Sequence, residues 1–335
     1  MVTDKLAPLD DPTGRRIILV DFLNMFIRNY AVIPTHNPRT GEPNGGTFGT
    51  LRSLTAAIRK LKPTDVVVVT DGAEGSVRRR SIFKDYKGNR KPFRTNRFYN
   101  HGTEEDVHRN MLEQGARVRH YFENMPIAYV SIDRCEADDV IAYLATDFFS
   151  KEDEKFILSS DKDFYQLCSD EDNTYVYNQA SDVLVTEVDV LAKFGVSPAN
   201  TAVARALDGD GSDNIPGIKG LGMKSITKCF PELAEPTPVE LDQIIAWAVE
   251  RDGTKFDRIV EQQDVFYRNY KLMQLADPML SPAQLTELLE TVTEELKRRK
   301  LNQLAFRHML AEDSITSIAA GRVTRDLQFI TEFKQ

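Results

Sequence analysis

Three apolar runs in the sequence end at an aspartate. Ile17-Ile18-Leu19-Val20 leads into Asp21, Val66-Val67-Val68-Val69-Thr70 into Asp71, and Phe156-Ile157-Leu158-Ser159-Ser160 into Asp161, with Asp163 two residues on. Glu136, Asp138 and Asp139 open a further apolar-periodic stretch, and a glycine-rich loop carries Asp210 and Asp213. Any one of these acids has a bland explanation as a turn residue or part of a helix N-terminus. Gathered at one end of a sheet, they would raise one another's pKa and stay ionised together only beside cations. Oxygen ligands alone suit Mg2+ or Mn2+ rather than zinc. The matching chemistry is two-metal hydrolysis of a phosphodiester. One ion generates the nucleophilic hydroxide, and both stabilise the attacking and leaving oxygens.

A formal net charge of −8 hides a basic segment. Arg78, Arg79, Arg80, Lys84, Lys87, Arg90, Lys91, Arg94 and Arg97 are opposed only by Asp85, so the rest of the chain carries −16. Such a stripe suits contact with phosphates. Interleaved Phe83, Tyr86, Phe93, Phe98 and Tyr99 could stack on unpaired bases. The plain alternative is a solvated helix face with its aromatics in the core. Further on, Gly217-Ile218-Lys219-Gly220-Leu221-Gly222-Met223-Lys224-Ser225 misses the nucleotide-binding P-loop by one residue, with Met223 in the lysine position. A helix–hairpin–helix that grips a nucleic-acid backbone without reading bases fits better. Its candidate contacts are Gly217, Lys219, Gly220, Gly222 and Lys224.

These residues need a scaffold, and the patterning predicts one. Strands are predicted at 17–20, 65–70, 127–131 and 155–160, with helices at 47–61 and 136–149. Continuous β-branched runs alternating with helices predict an α/β fold with a mostly parallel sheet covered on both faces. Thr103 with Asp106 has capping-box spacing and predicts a helix start. From about 197 helical patterns dominate, at 238–250, 255–274, 282–290 and 294–311. The predicted division is an α/β domain over 15–190, within which the basic segment and the helix start at Thr103 occupy about 77–110. A helical part over 191–335 follows, with the helix–hairpin–helix at about 198–230. No apolar run approaches the roughly 18 residues of a membrane helix, and the polar, acidic start carries no secretory pattern. Three cysteines without finger spacing argue against a disulfide framework or a cysteine zinc site and fit a reducing cytoplasm. The five histidines show no paired metal spacing, and nothing marks a nucleophile elbow.

Six motifs in order then carry a resemblance: Val20-Asp21-Phe22-Leu23-Asn24, Thr70-Asp71-Gly72, Tyr86-Lys87-Gly88-Asn89-Arg90, Glu136-Ala137-Asp138-Asp139, Ser159-Ser160-Asp161-Lys162-Asp163-Phe164 and Gly209-Asp210-Gly211-Ser212-Asp213-Asn214-Ile215-Pro216-Gly217. As a set they resemble the 5′-nuclease (flap endonuclease) family. That family includes the 5′→3′ exonuclease domain of bacterial DNA polymerase I and free-standing phage enzymes of the ribonuclease H type, which the length and helical tail most resemble. The resemblance implies a PIN-like nuclease domain with two Mg2+ or Mn2+ sites. Asp21, Asp71, Glu136 and Asp138 would hold the first, and Asp139, Asp161, Asp163 and Asp213, with Asp210 close by, would lie about the second.

By the same resemblance the basic segment forms an arch over the site, with Lys87 and Arg90 on the scissile phosphate. Arg78, Arg79, Arg80, Lys84, Tyr86 and Arg94 would contact DNA, and the glycine hairpin would hold duplex and K+. Lys162 departs from the glycine common in the family. The implied activity is 5′→3′ exonuclease and flap endonuclease action, with ribonuclease H activity, on branched, nicked or flapped DNA and RNA–DNA duplex. It would remove RNA primers and 5′ flaps during replication. A monomer is expected, with a single-stranded-DNA-binding protein as partner for the C-terminal helices near Lys297-Arg298-Arg299-Lys300. The alternative is a junction-binding protein of the same fold that does not cut. The complete acid set argues against it, because a binder gains nothing from so many like charges.

Overall fold

The computed structural model describes residues 14–90, 103–316, 318 and 320–332. Strand β1 (Arg16–Asp21) runs into α1 (Phe22–Val32), and α2 (Gly45–Leu61) leads to β2 (Asp65–Asp71). Next come α3 (Val77–Ile82), α4 (Glu104–Glu123), β3 (Ala128–Ile132), α5 (Ala137–Tyr143) and β4 (Glu154–Leu158). Strands β5 (Thr174–Asn178) and β6 (Val183–Val185) finish a sheet of order β3-β2-β1-β4-β5-β6. All its pairings are parallel except β5–β6. Order reverses at β1, whose neighbours are β2 and β4. The carboxyl ends beside such a reversal are where open α/β sheets bind ligands.

Both faces of the sheet are covered, which is why the strands read as unbroken apolar runs. Ile18 and Val20 face a core shared with α1, α2 and α4, while Ile17 and Leu19 face one shared with α5. The capping box at the start of α4 forms as predicted, with Thr103 N–H donating to Asp106 at 2.8 Å and Asp106 N–H to Thr103 Oγ1 at 3.2 Å. The helix predicted over 136–149 is α5 followed by a π turn, Leu144–Phe148.

The helical part comprises α6 (Glu187–Phe194), α7 (Pro198–Asp208), the ribbon β7 (Gly209–Asp210) with β8 (Ile215–Pro216), and α8 (Met223–Cys229). It continues with α9 (Leu241–Glu250), α10 (Thr254–Glu261), α11 (Gln263–Met273), α12 (Pro282–Arg298), α13 (Gln303–Glu312) and α14 (Ala320–Glu332). The helix predicted over 255–274 breaks at Gln262. The break predicted between 290 and 294 is absent, since α12 runs through Thr291-Val292-Thr293. These are weak helix formers, but Val292 is wholly buried against the sheet, so packing overrides propensity.

Packing divides the helices differently from a boundary at 190. Residues between Val196 and Phe266 build their own core. Leu288 and Val292 of α12 return to one face of the sheet, and Phe306, Leu310, Leu327 and Ile330 of α13 and α14 return to the other. Among the described residues no helix is long and apolar enough to cross a membrane.

Candidate active site

The acids meet at the carboxyl end of the sheet because parallel strands end there together. Asp21, the last residue of β1, caps α1 by accepting from Asn24 N–H (3.1 Å) and also accepts from Ser159 Oγ (3.0 Å). Burial, then the charges of Asp161 and Asp71, push it up to about 7 despite these hydrogen bonds. Asp71 closes β2 and accepts from Ala137 N–H at 2.7 Å, which ties it to the start of α5. Burial raises it, and Glu136 adds to that. Asp138, in the first turn of α5, is held well above the carboxylate range by burial and by Asp161 and Asp21. Asp163, after β4, is pushed up to about 7 by burial and by Asp161, with Asp210 and Asp213 contributing. Asp161 therefore faces both groups of acids, and its own carboxylate accepts from Asp163 N–H at 3.0 Å.

Cationic side chains of the protein stand among these acids. Lys87 pairs with Glu136, and Arg90 with Asp213. For Glu136, burial acts upward, but the charges and hydrogen bonds of Lys87 and Arg79 win and leave it below the usual range. Lys87 has a left-handed backbone (φ 56°), and its N–H donates to Asp213 O at 2.8 Å. A left-handed lysine is costly and persists where surrounding contacts enforce it, commonly at functional sites. Asn89 on Gly211 O (3.1 Å) and Asn214 on Asp85 O (2.9 Å) lock the same two loops together.

Several of the candidate residues are engaged within the protein. Asp139 is buried in the first turn of α5, where it shares Arg79 Nη1 with Glu136. Its carboxylate is held by Arg79 and accepts from Met279 N–H at 3.0 Å. Arg79, predicted on DNA, is only 4 % exposed, bonded to Glu136, Asp139 and Leu272 O. Tyr86, predicted as a DNA contact, is buried with its hydroxyl on Glu136 (3.2 Å). Phe83 packs beside it under Arg268 instead of offering a free face. Arg78 is tied to Met279 O (2.6 Å) and Gln284. Charge counting along a segment cannot reveal which side of it turns inward. Arg80 and Lys84 are exposed, whereas Arg94, Lys91, Arg97, Phe93, Phe98 and Tyr99 lie outside the described residues.

In the hairpin, Lys219, Gly220, Gly222 and Lys224 are exposed. At Gly217 a Cβ would stand 2.0 Å from Asp208 O, so its missing side chain serves the β7–β8 ribbon. Ile218 O accepts from Leu221 N–H, and Lys219 O accepts from Arg258 of α10, each at 3.0 Å. Each of these two carbonyls accepts one hydrogen bond and keeps a second lone pair.

Arg205 is the residue that the motifs missed. Its guanidinium lies 2.6 Å from both Asp163 and Asp210. The available signal was a lone cation inside the apolar stretch Ala202-Val203-Ala204-Arg205-Ala206-Leu207. Among the described residues, no group of three or more acids, histidines or cysteines encloses a metal site as the side chains stand. The donors nevertheless fit hard divalent cations. They are all oxygens, Asp21, Asp138 and Asp163 are raised by burial and then by neighbouring acids, and the buried Asp163 Oδ1 accepts no hydrogen bond.

Comparison with known proteins places the chain in a family and a fold. Residues 16–195 match the family described as 5′-3′ exonuclease, N-terminal resolvase-like domain. The chain is 29 % identical to a 5′-3′ exonuclease of Aquifex aeolicus over 311 residues, covering 92 % of this chain and 99 % of that protein. It is 32 % identical over 227 residues to the thermostable DNA polymerase I of Thermus aquaticus, covering 68 % of this chain but only a quarter of the polymerase's length. In fold it is similar to the D15 protein of bacteriophage T5 crystallised with metal ions. That likeness has a TM-score of 0.67 at 19 % identity and covers 84 % of this chain and all of that one.

Proposed function

Because the chain belongs to the 5′-3′ exonuclease family, we propose that it is a Mg2+- or Mn2+-dependent 5′-nuclease with both exonuclease and flap endonuclease action. It acts on branched, nicked or flapped DNA and on RNA–DNA duplex, removing RNA primers and 5′ flaps during replication. The observation that carries this reading is the set of acids at the sheet's carboxyl end, with Asp21, Asp138 and Asp163 all raised by burial and then by the charge of Asp161. Crowding of this kind is relieved by cations and has no use in a protein that only binds junctions.

When bound, two divalent cations would supply Lewis-acid stabilisation and an activated water. Asp21, Asp71, Glu136 and Asp138 would hold one, and Asp161, Asp163, Asp210 and Asp213 the other. Lys87 and Arg90, now paired with Glu136 and Asp213, stand where they can turn to the scissile phosphate and neutralise its developing charge. Lys219 and Lys224 on the hairpin would hold the duplex backbone without reading sequence. Arg298 and Lys300 remain exposed for a single-stranded-DNA-binding partner of this monomer.

The test is digestion of a 5′-labelled flapped duplex and an RNA–DNA hybrid with Mg2+ or with chelator. Short 5′ products with Mg2+ and none with chelator are expected. Tight binding without cutting in Mg2+ would favour the junction-binding alternative.

A further inference from the structure

Arg205 is out of place by ordinary rules. It projects from α7, the first helix of the hairpin unit, and its side chain is only 13 % exposed. Two elements far apart in sequence converge on it: Asp163 follows the fourth strand of the sheet, and Asp210 ends the first strand of the small ribbon. Both carboxylates lie 2.6 Å from the same guanidinium nitrogen, Nη2. The contact to Asp210 is an aligned hydrogen bond. That to Asp163 is a close charge contact, since Asp163 Oδ1 accepts no hydrogen bond, and Arg205 Nε is also buried without a partner. Asp210 is otherwise well partnered, since its Oδ1 accepts from Ser212 N–H and Oγ, whereas Asp163 and Arg205 each keep a buried atom without a hydrogen bond. A group needed only for stability would be better replaced by apolar packing.

We propose that Arg205 is a positioning residue for the reaction. Its guanidinium clamps Asp163 to Asp210, setting the spacing of the second group of acids and fastening the duplex-gripping helix to the catalytic end of the sheet. Proposed for the nuclease reading above, the clamp has two separable effects. Its positive charge opposes a divalent cation arriving between the acids. Its rigid planar head holds those acids where an arriving cation is useful. Lysine would keep the charge but not the planar head.

The test uses the full chain as wild type, Arg205→Met and Arg205→Lys. Mn2+ binding is read without DNA by the electron paramagnetic resonance of free Mn2+. Cleavage of a short labelled flap is then followed in single turnover at saturating Mn2+. Arg205→Met should bind Mn2+ about fivefold more tightly, since a unit charge has left the acids. It should nevertheless cut about a hundredfold more slowly, as expected for ångström-scale misplacement. Arg205→Lys should bind Mn2+ nearly as wild type and still cut slowly. A purely structural role would weaken binding and rate together, and that result would overturn the proposal. So would a wild-type rate in either variant. If Arg205→Met fails to fold, the lysine variant decides alone, because slow cutting at unchanged Mn2+ affinity supports the clamp and an unchanged rate refutes it. A wild-type chain that cuts no flap would overturn the nuclease reading instead, while the Mn2+ contrast would still report on the clamp.

Discussion

Lys87 is the residue whose placement says most about chemistry. It combines a left-handed backbone, an ion pair to Glu136 and a second tether to Asp213 O, so its position is over-determined. Lys84, three residues earlier, is exposed. Lys87→Ala is therefore expected to lower the single-turnover rate on a flap by about 10²–10³-fold. Its effect on affinity should be small. Lys84→Ala should do the reverse, weakening binding and lessening its salt dependence by about one unit of slope per lost phosphate contact. Single-turnover rates and salt-titrated affinities of both variants check this, and a Lys87→Ala change in affinity alone would remove its catalytic role. At this scale the sequence was legible where chemistry coincides with a strand end. Asp21, Asp71 and Asp161 lie at or just beyond the ends of apolar runs. The internal partners of Asp139, Arg79 and Tyr86 were not legible, because neighbouring residues on a helix or turn diverge in direction, and composition carries no direction.

At the scale of elements, the strands were readable because a parallel sheet buried on both faces leaves long apolar runs. The short β5–β6 pair and the β7–β8 ribbon had no such signature. The ribbon's tightness rests on Gly217, whose missing side chain lets its backbone approach Asp208 O. Gly217→Ala is expected to destabilise the fold by about 1–3 kcal/mol through overpacking. Gly211→Ala, where a Cβ meets nothing within 4 Å, should lie within about 0.5 kcal/mol of wild type. Denaturant titration of the two variants separates them, and equal stabilities would contradict the close approach. The C-terminal helices also deserve a structural role. Leu288, Val292, Phe306, Leu310, Leu327 and Ile330 are all buried against the sheet's two faces. At about 1.5–3 kcal/mol each, their loss is comparable with a domain's whole stability. Truncation near Ser281 should thus give an unfolded or insoluble product. A soluble, cooperatively melting fragment would show these helices to be an appendage.

Across the whole molecule, charge is sorted by place. The acids concentrate at the carboxyl end of the sheet, and a different ionic device holds the opposite end. There Asp65, at the start of β2, binds Arg15 at 3.0 Å and Thr64 Oγ1 at 2.7 Å, and also pairs with Arg299 from the end of α12. Part of the basic run near 297–300 is therefore structural. Burial acts to raise Asp65, but Arg15, Arg299 and Thr64 more than offset it and hold it below the usual carboxylate range. A depressed carboxyl pKa adds stability that is fully present above the unfolded pKa of about 3.9 and is lost as pH falls through the folded value. Asp65→Asn should cost about 3–5 kcal/mol near neutral pH by leaving two arginines uncompensated. The gap from wild type should narrow as pH drops below about 4. Thermal melts across pH check it, and a gap that is independent of pH would contradict the ion pair.

The central claim is that the acids at the carboxyl end of the sheet are there to hold cations for phosphodiester cleavage. Asp138 tests it best, because after burial it is raised by Asp161 and Asp21, one from each group of acids. The measurement is the single-turnover rate of Asp138→Asn on a labelled 5′ flap in Mg2+, paired with flap affinity in Ca2+. A rate lower by about 10³-fold or more at little-changed affinity is the expected result. A rate close to wild type would show that the acids do not form the catalytic centre.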